Sequence, residues 1–278
     1  MISTDDRKTI IQILKGISPQ YSEKIPAVLY KYRSLTEYTL QDICNCRLSL
    51  SKPSAMNDRL DSFMTTLPKE GDIDDIKELL PNSESKMIQQ RYDELNQMRA
   101  EFARDELRVT CLSENNNNNC MWAHYADGNK GILIAYDTKM MNRNLLFLFK
   151  VLYISNEQRH LIPRPDVNDN RDLTNNMYVS SLVKTNEWEY EKEWRVILMD
   201  LPQDHPQIIM PKPMYICLGA NCKGEYLDEQ QRKWLLELLL FCRDNSIQLK
   251  RLTYSISSAC SKMVNTNVEQ ELLYFDWG

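Results

Sequence analysis

The stretch EWEYEKEWR, residues 187–195, places four glutamates at every second position and ends on an arginine. The gaps hold mainly aromatic residues, with Trp188 and Trp194 near the two ends. A period of two is that of a β-strand, in which alternate side chains share one face. The pattern predicts a strand with an acidic face, on which Glu191 and Glu193 project together, and an opposite face on which both tryptophans are largely buried.

The rest of the chain predicts the domain around this strand. Apolar β-rich runs such as AVLYKYRSL (27–35) and MYICLG (214–219) mix with helical segments without a regular βαβ order. We therefore expect a single α+β domain over residues 1–278, with a split, mostly antiparallel or mixed sheet. Residues 68–106 predict a helical insertion that covers the cleft or forms a dimer contact, because apolar residues recur there at helical spacing: Ile88, Tyr92, Leu95, Met98 and Phe102.

Composition excludes several classes of protein. Gly-rich phosphate loops are missing from a chain with only 7 glycines, and a net charge of −5 gives no general attraction to nucleic acid. The longest apolar runs are too short to span a bilayer. Eight cysteines without framework spacing predict a protein of the reducing cytoplasm, with neither a structural metal site nor a membrane partner.

Three further motifs supply candidate site residues. LYKYRS (29–34) carries Arg33, whose guanidinium can grip a phosphate or carboxylate with two hydrogen bonds. SAMNDRLD (54–61) concentrates Asn57 and Asp58 after a proline, although an ordinary turn explains that composition equally well. MWAHYADGNKG (121–131) groups His124 with aromatic side chains that suit a flat ring or a structural role.

These motifs, in order and spacing, resemble a widespread prokaryotic family known as domain of unknown function 2971. The resemblance rests on LYKYRS, on S-x-P-S-x-x-ND, on CLSE followed by MWAHYADGNKGILIAYD, and on W-x-YEKEWR, and it covers roughly residues 27–255. The second motif departs from the family pattern, because Met56 stands where an aromatic residue is usual and DRLD replaces DPFD. The family implies no activity.

A weaker similarity, at the level of fold, is to ADP-ribosyltransferases. In that fold an early basic residue holds NAD, a serine lies on a middle strand, and a late strand carries Glu-x-Glu; the counterparts here are Arg33, Ser113 and Glu191-x-Glu193. The similarity implies that Glu193 stabilises charge on the ribose, with Glu191 as its helper. Tyr125 or Trp122 would stack on a ring of NAD.

The sequence thus predicts an enzyme of ADP-ribosyltransferase type that uses or cleaves NAD, acts on an unassigned protein or nucleic-acid acceptor, and serves as a toxin or phage-defence effector. A homodimer is compatible with this prediction. Glu193 and Glu191 are the predicted catalytic residues. The predicted NAD-binding residues are Arg33, Tyr32, Asn57, Asp58, Ser113, Trp122, His124 and Tyr125. Two alternatives stay open: a Mg²⁺-dependent nuclease that uses Asp58, Asp61, Glu191 and Glu193 as oxygen ligands, and a non-catalytic sensor or interaction module.

Overall fold

A computed structural model describes residues 3–58, 81, 84–141, 147–162, 170–199, 206–255 and 260–274; for 95–104, 159–160 and 172–173 it describes the backbone alone. The helices are α1 (Thr4–Ile17), α2 (Glu37–Cys44), α3 (Ser85–Glu106), α4 (Asn119–Tyr125), α5 (Asn170–Ser180), α6 (Glu229–Asp244) and α7 (Val268–Leu272). The strands are β1 (Val28–Arg33), β2 (Arg47–Ser49), β3 (Leu107–Ser113), β4 (Ile132–Asp137), β5 (Leu148–Lys150), β6 (Leu152–Ile154), β7 (Val183–Thr185), β8 (Glu193–Met199), β9 (Gln207–Ile209), β10 (Tyr215–Leu218), β11 (Gln248–Ser255) and β12 (Cys260–Thr266).

Eight strands form one mixed sheet in the order β12-β11-β10-β4-β1-β3-β8-β5. Neighbouring strands are antiparallel except for β10 and β11, which are parallel. Strands β2 and β9, and strands β6 and β7, form two small accessory sheets. The predicted α+β class with a mostly antiparallel sheet is confirmed.

The large sheet is split between β1 and β3. These strands pair at one position, Tyr30 with Ser113, whereas β1 pairs with β4 from Val28 to Arg33 and β3 pairs with β8 along its whole length. Beyond the single pair the two halves of the sheet separate. The split leaves room for a cavity whose opposite walls are β1 and β3.

Helices bury apolar residues against both faces of the sheet. Leu238 and Leu239 of α6 join a cluster with the inner residues of β1, β4 and β10, and both are fully buried. Ile10 and Leu14 of α1 pack with α5 and with the β3–β8–β5 half. The first turn of α1 is fixed by a capping box in which Ser3 and Asp6 satisfy each other's backbone groups. The first cluster also includes residues of β3, β5 and β8, so it joins the two halves of the split sheet.

The strand predicted over 187–195 begins only at Glu193. Residues Asn186–Glu191 form a 3-10 helix, and Lys192 ends it with φ at 44°. Because of this helix, the strand prediction for 187–192 is wrong. Trp194 is fully buried as predicted, but Trp188 is only half-buried. The alternating sequence pattern includes residues whose backbone is not extended, so the pattern alone did not reveal the turn.

Helix α3 occupies the second part of the predicted insertion. Ile88 and Tyr92, the first residues of its apolar stripe, are buried together. Residues 68–80, and the side chains of Leu95, Met98 and Phe102, lie outside the described residues. Within the described part of the chain, no helix is both long and apolar enough to cross a membrane.

Candidate functional site

A cavity of about 480 Å³ lies where β1 and β3 separate, and it is lined by residues 30–34 of one wall and 109–113 of the other. The N-terminal end of α2, the turn around Asn57, the end of α4, and the start of β8 complete the lining. Ligand pockets in proteins commonly measure about 300–1,000 Å³. The cavity is therefore large enough for a small molecule of nucleotide size.

Glu191 and Glu193 converge at one side of this cavity, and both are nearly fully buried, with 3 and 4% of their surfaces exposed. Lys184 of β7 joins them: its Nζ donates to Glu191 Oε2 at 2.7 Å and to Glu193 Oε2 at 3.3 Å. The amine itself is buried and also lies 4.7 Å from the centre of the Trp188 ring. One lysine thus bridges two carboxylates out of contact with bulk water.

Each carboxylate has a second partner. Arg195, which is fully buried, donates from Nε to Glu193 Oε1 at 2.9 Å and from Nη2 to Glu193 Oε2 at 3.0 Å. The Tyr125 hydroxyl donates to Glu191 Oε1 at 2.5 Å. Glu193 is therefore held by two cations, whereas Glu191 is held by one cation and one neutral hydroxyl.

This difference separates the pKa values of the two carboxyl groups. Burial raises the pKa of Glu191, and the negative charge of Glu193 raises it further against the opposing effect of Lys184. Burial also acts to raise the pKa of Glu193, but Arg195 and Lys184 outweigh it and hold that pKa well below its usual range. Two carboxyl groups whose pKa values differ in this way provide one group that exchanges protons and one that stays charged.

Lys192 makes the convergence possible. Its backbone lies in the left-handed region, which reverses the chain between the two glutamates. Ser113 Oγ donates to the backbone oxygen of Glu191 at 2.5 Å and fixes the end of the 3-10 helix. The two carboxylates therefore meet through a turn and not through strand alternation.

We expect Lys192→Val to lower the free energy of unfolding by about 1–2 kcal/mol, because a β-branched side chain is poorly accommodated at positive φ. Lys192→Gly and Lys192→Asn should stay within about 1 kcal/mol of the wild type, since both residues tolerate this backbone region. Urea unfolding of the three variants measures the difference. Equal stabilities for the valine and asparagine variants would contradict a strained turn.

The opposite wall of the cavity is basic. Arg33 donates from Nη2 to Asp42 Oδ2 at 2.8 Å, and Asp42 also accepts hydrogen bonds from Ser49 and Gln207. Lys31 lies two residues earlier on β1 and donates to the backbone oxygen of Cys111 at 2.8 Å. Burial lowers the pKa of Lys31.

The structure brings together most of the residues that the sequence predicted for the site. Those that line the cavity are Tyr32, Arg33, Asn57, Asp58, Ser113, His124, Tyr125, Glu191 and Glu193. Within this set, Ser113 and Tyr32 are nearly fully buried, and each donates its hydroxyl proton to a backbone oxygen. Both side chains therefore stabilise the cavity wall. Asn57 and His124 are exposed at the cavity's edge.

The prediction that Trp122 lines the site is wrong. Trp122 is fully buried in the cluster under α4, where its ring meets that of Tyr32 edge-on at 5.2 Å between centroids. Its large apolar surface packs on the sheet, which is the favoured position for an indole on a short amphipathic helix. It cannot stack on a ligand without leaving the core.

The cavity residues that sequence reasoning did not assign to the site include Lys184, Lys31 and Tyr38. Lys184 precedes the acidic stretch by three residues, and only the turn at Lys192 brings it to the carboxylates. Lys31 shares the strand face of Arg33, which was the available signal. Tyr38 follows a helix N-cap, Thr36, and nothing in its sequence context distinguishes it from a surface residue.

The described residues include no group of three or more His, Cys, Asp or Glu side chains that could hold a metal ion. Asp61, one ligand of the magnesium alternative, lies outside the described residues. Glu191 and Glu193 contact cationic side chains instead of facing each other across a space for an ion. Their arrangement is that of an ion-pair network.

Residues 121–196 match the model of a family described as "protein of unknown function (DUF2971)". The matched segment begins within α4, includes Lys184 and both glutamates, and ends within β8, so it confirms the resemblance to that family over this part of the chain. Comparisons with curated proteins and with solved structures give no match. The similarity to ADP-ribosyltransferases stays a prediction.

Proposed function

We propose that the cavity binds NAD, or a closely related nucleotide, as a substrate and breaks the bond between its nicotinamide ring and its ribose. The observation that supports this most is the pair of buried carboxylates, separated in pKa, facing a basic wall within one cavity. Breaking this bond develops positive charge on the ribose, which a fixed carboxylate stabilises. The basic wall suits the phosphates of the same ligand.

The order of the strands supports the proposal. Glu193 on β8 pairs with Ser113 on β3, and Ser113 pairs with Tyr30 on β1. Two strand spacings separate Glu193 from β1, or about 10 Å, and Arg33 lies about 10 Å further along that strand. Such a separation suits a ligand whose phosphates and reactive ribose are several bonds apart.

The two carboxylates would have different tasks. Glu193, kept ionised by Arg195 and Lys184, stabilises the positively charged ribose while nicotinamide leaves with the electron pair of the broken bond. Glu191 accepts hydrogen bonds on both of its oxygens and has a raised pKa. It is therefore suited to take the proton of the water or other acceptor that adds to the ribose carbon.

A second candidate is a binding module that holds an anionic nucleotide without turning it over. Lys184 pairs with both acids and Arg195 pairs with Glu193, which is the arrangement expected of structural ion pairs. The cavity itself is common to both candidates. Binding without release of nicotinamide would favour this one.

The decisive experiment is to incubate the purified protein with NAD and to measure released nicotinamide, with and without Mg²⁺ and with candidate protein and nucleic-acid acceptors. The proposal expects release that does not depend on Mg²⁺. Failure to bind or consume NAD under all these conditions contradicts it, and cleavage of nucleic acid only with Mg²⁺ would support the nuclease instead. A toxin or phage-defence role in the cytoplasm would follow from NAD consumption, because it deprives a cell of an essential cofactor.

A further inference from the structure

The cation best placed to bind an anion in this cavity is Lys31. The Arg33 guanidinium is engaged by Asp42, and the buried Asp42 carboxylate is fixed by its own partners. Lys31 contacts neutral acceptors, the backbone oxygen of Cys111 and, at 3.4 Å, Thr110 Oγ1. Among the described residues no carboxylate lies within ion-pair distance of its Nζ, so an anion that enters the cavity can approach this amine without displacing a carboxylate partner.

The aromatic side chain best placed to meet a planar ring is Tyr38. It belongs to the first turn of α2, lines the cavity, and has 76% of its surface exposed. Tyr38 is the most exposed tyrosine of the cavity, since Tyr32 is nearly fully buried and the Tyr125 hydroxyl donates to Glu191. Tyr38 therefore presents a ring face at the mouth of the cavity.

The two residues belong to one rigid unit. Thr39 Oγ1 donates to the backbone oxygen of Ser34 at 2.9 Å, which fastens the first turn of α2 to the end of β1. From Lys31 to Ser34 the extended chain covers about 10 Å. Lys31 and Tyr38 therefore both line the cavity from one continuous unit of β1 and α2, where one ligand could reach both.

We propose that this end of the cavity is a subsite for a nucleoside diphosphate, with a phosphate on Lys31 and the base against Tyr38. The choice of ligand class rests on the proposed function, and the subsite specifies how the ligand is oriented in the cavity. The base lies toward α2, and the ribose that reacts lies toward Glu191 and Glu193. ADP alone should fill the subsite, because it carries the base and the phosphates without the reactive bond.

The first test measures binding of ADP by titration calorimetry to wild type, Tyr38→Ala and Tyr38→Phe. Loss of stacking on one base should weaken ADP binding about five- to 150-fold in the alanine variant, and the phenylalanine variant should bind as wild type does. Ribose 5-phosphate, which has no base, should bind both variants equally. Tyr254→Ala, at another exposed tyrosine, is the matched control and should change nothing.

The second test concerns Lys31. Lys31→Met should weaken binding of ADP and of ribose 5-phosphate by the same factor, about tenfold or more, because it removes the charge that meets the phosphate. Lys31→Arg should retain most of the affinity and guards against a variant that merely folds poorly. Lys233→Met, at an exposed lysine of α6, is the control.

These results separate the subsite from the reaction. ADP binding that depends on Tyr38 and Lys31, in a protein that never releases nicotinamide, supports the subsite. The same result contradicts only the proposal that NAD is cleaved. Absence of ADP binding, or binding that both variants leave unchanged, overturns the subsite even if NAD is cleaved. An equal loss of ribose 5-phosphate binding in Tyr38→Ala would overturn the stacking role.

Discussion

Lys184→Met is expected to lower the free energy of unfolding at pH 7 by about 3–5 kcal/mol, the usual cost of removing one partner from a buried ion pair. Only 4% of the Lys184 side chain is exposed, and its amine forms ion pairs with both Glu191 and Glu193. Methionine keeps the length of the side chain but leaves Glu191 with a hydroxyl as its remaining partner from this network. Chemical unfolding at pH 7 measures the loss.

The loss should shrink as the pH falls from 7 toward 5. Without Lys184 the already raised pKa of Glu191 rises further, so the folded variant takes up a proton at a pH where the unfolded chain does not. A carboxyl group whose pKa is higher in the folded state stabilises that state below its unfolded pKa and loses this contribution as the pH rises. Glu193, whose pKa is lowered, stays ionised throughout this window.

Lys233→Met provides the matched control, because Lys233 pairs with Glu229 on the exposed surface of α6. Its cost should be no more than about 0.5 kcal/mol and should vary little with pH. A loss below about 1 kcal/mol in Lys184→Met, or a loss that does not depend on pH, would contradict the buried bridging role of this lysine.

The sheet was predictable because its signals are local. Alternating and continuous apolar runs mark β1, β4, β8 and β10, and helical spacing marks α1 and α6. The break of the sheet between β1 and β3 depends on pairing between residues 83 positions apart, Tyr30 and Ser113. Periodicity predicts which face of a strand is buried, but it does not specify where two strands stop pairing.

The site was predictable in its residue types and less so in its geometry. Arg33, Tyr125 and Glu193 share the cavity because their motifs end the strands and the helix that border it. The bridge from Lys184 depends on a left-handed lysine, a backbone state that lysine adopts only when its surroundings impose it. Trp122 misled the prediction, because an aromatic residue beside a histidine is equally consistent with a core position and a binding platform.

Glu193→Gln is expected to lower the rate of NAD cleavage by about 10²–10³, the usual effect of losing a group that stabilises developing charge. Glutamine has nearly the shape of glutamate but carries no charge to oppose the positive ribose. Because this interaction strengthens as the bond breaks, kcat should fall while KM changes little. The measurement is nicotinamide release under saturating NAD, at a temperature where the variant is shown to be folded.

Folding and chemistry must be separated in this experiment, because Glu193 also neutralises Lys184 and Arg195. Binding of ADP provides the separation: the variant should bind it within about threefold of wild type, since the residues proposed to hold ADP, Lys31 and Tyr38, belong to β1 and α2 and not to β8. Glu229→Gln, at a carboxylate whose side chain is 86% exposed, controls for the substitution itself and should keep full activity. A folded Glu193→Gln protein that binds ADP and cleaves NAD within tenfold of the wild-type rate would show that Glu193 is a structural ion-pair partner and that the charge on the ribose is stabilised elsewhere.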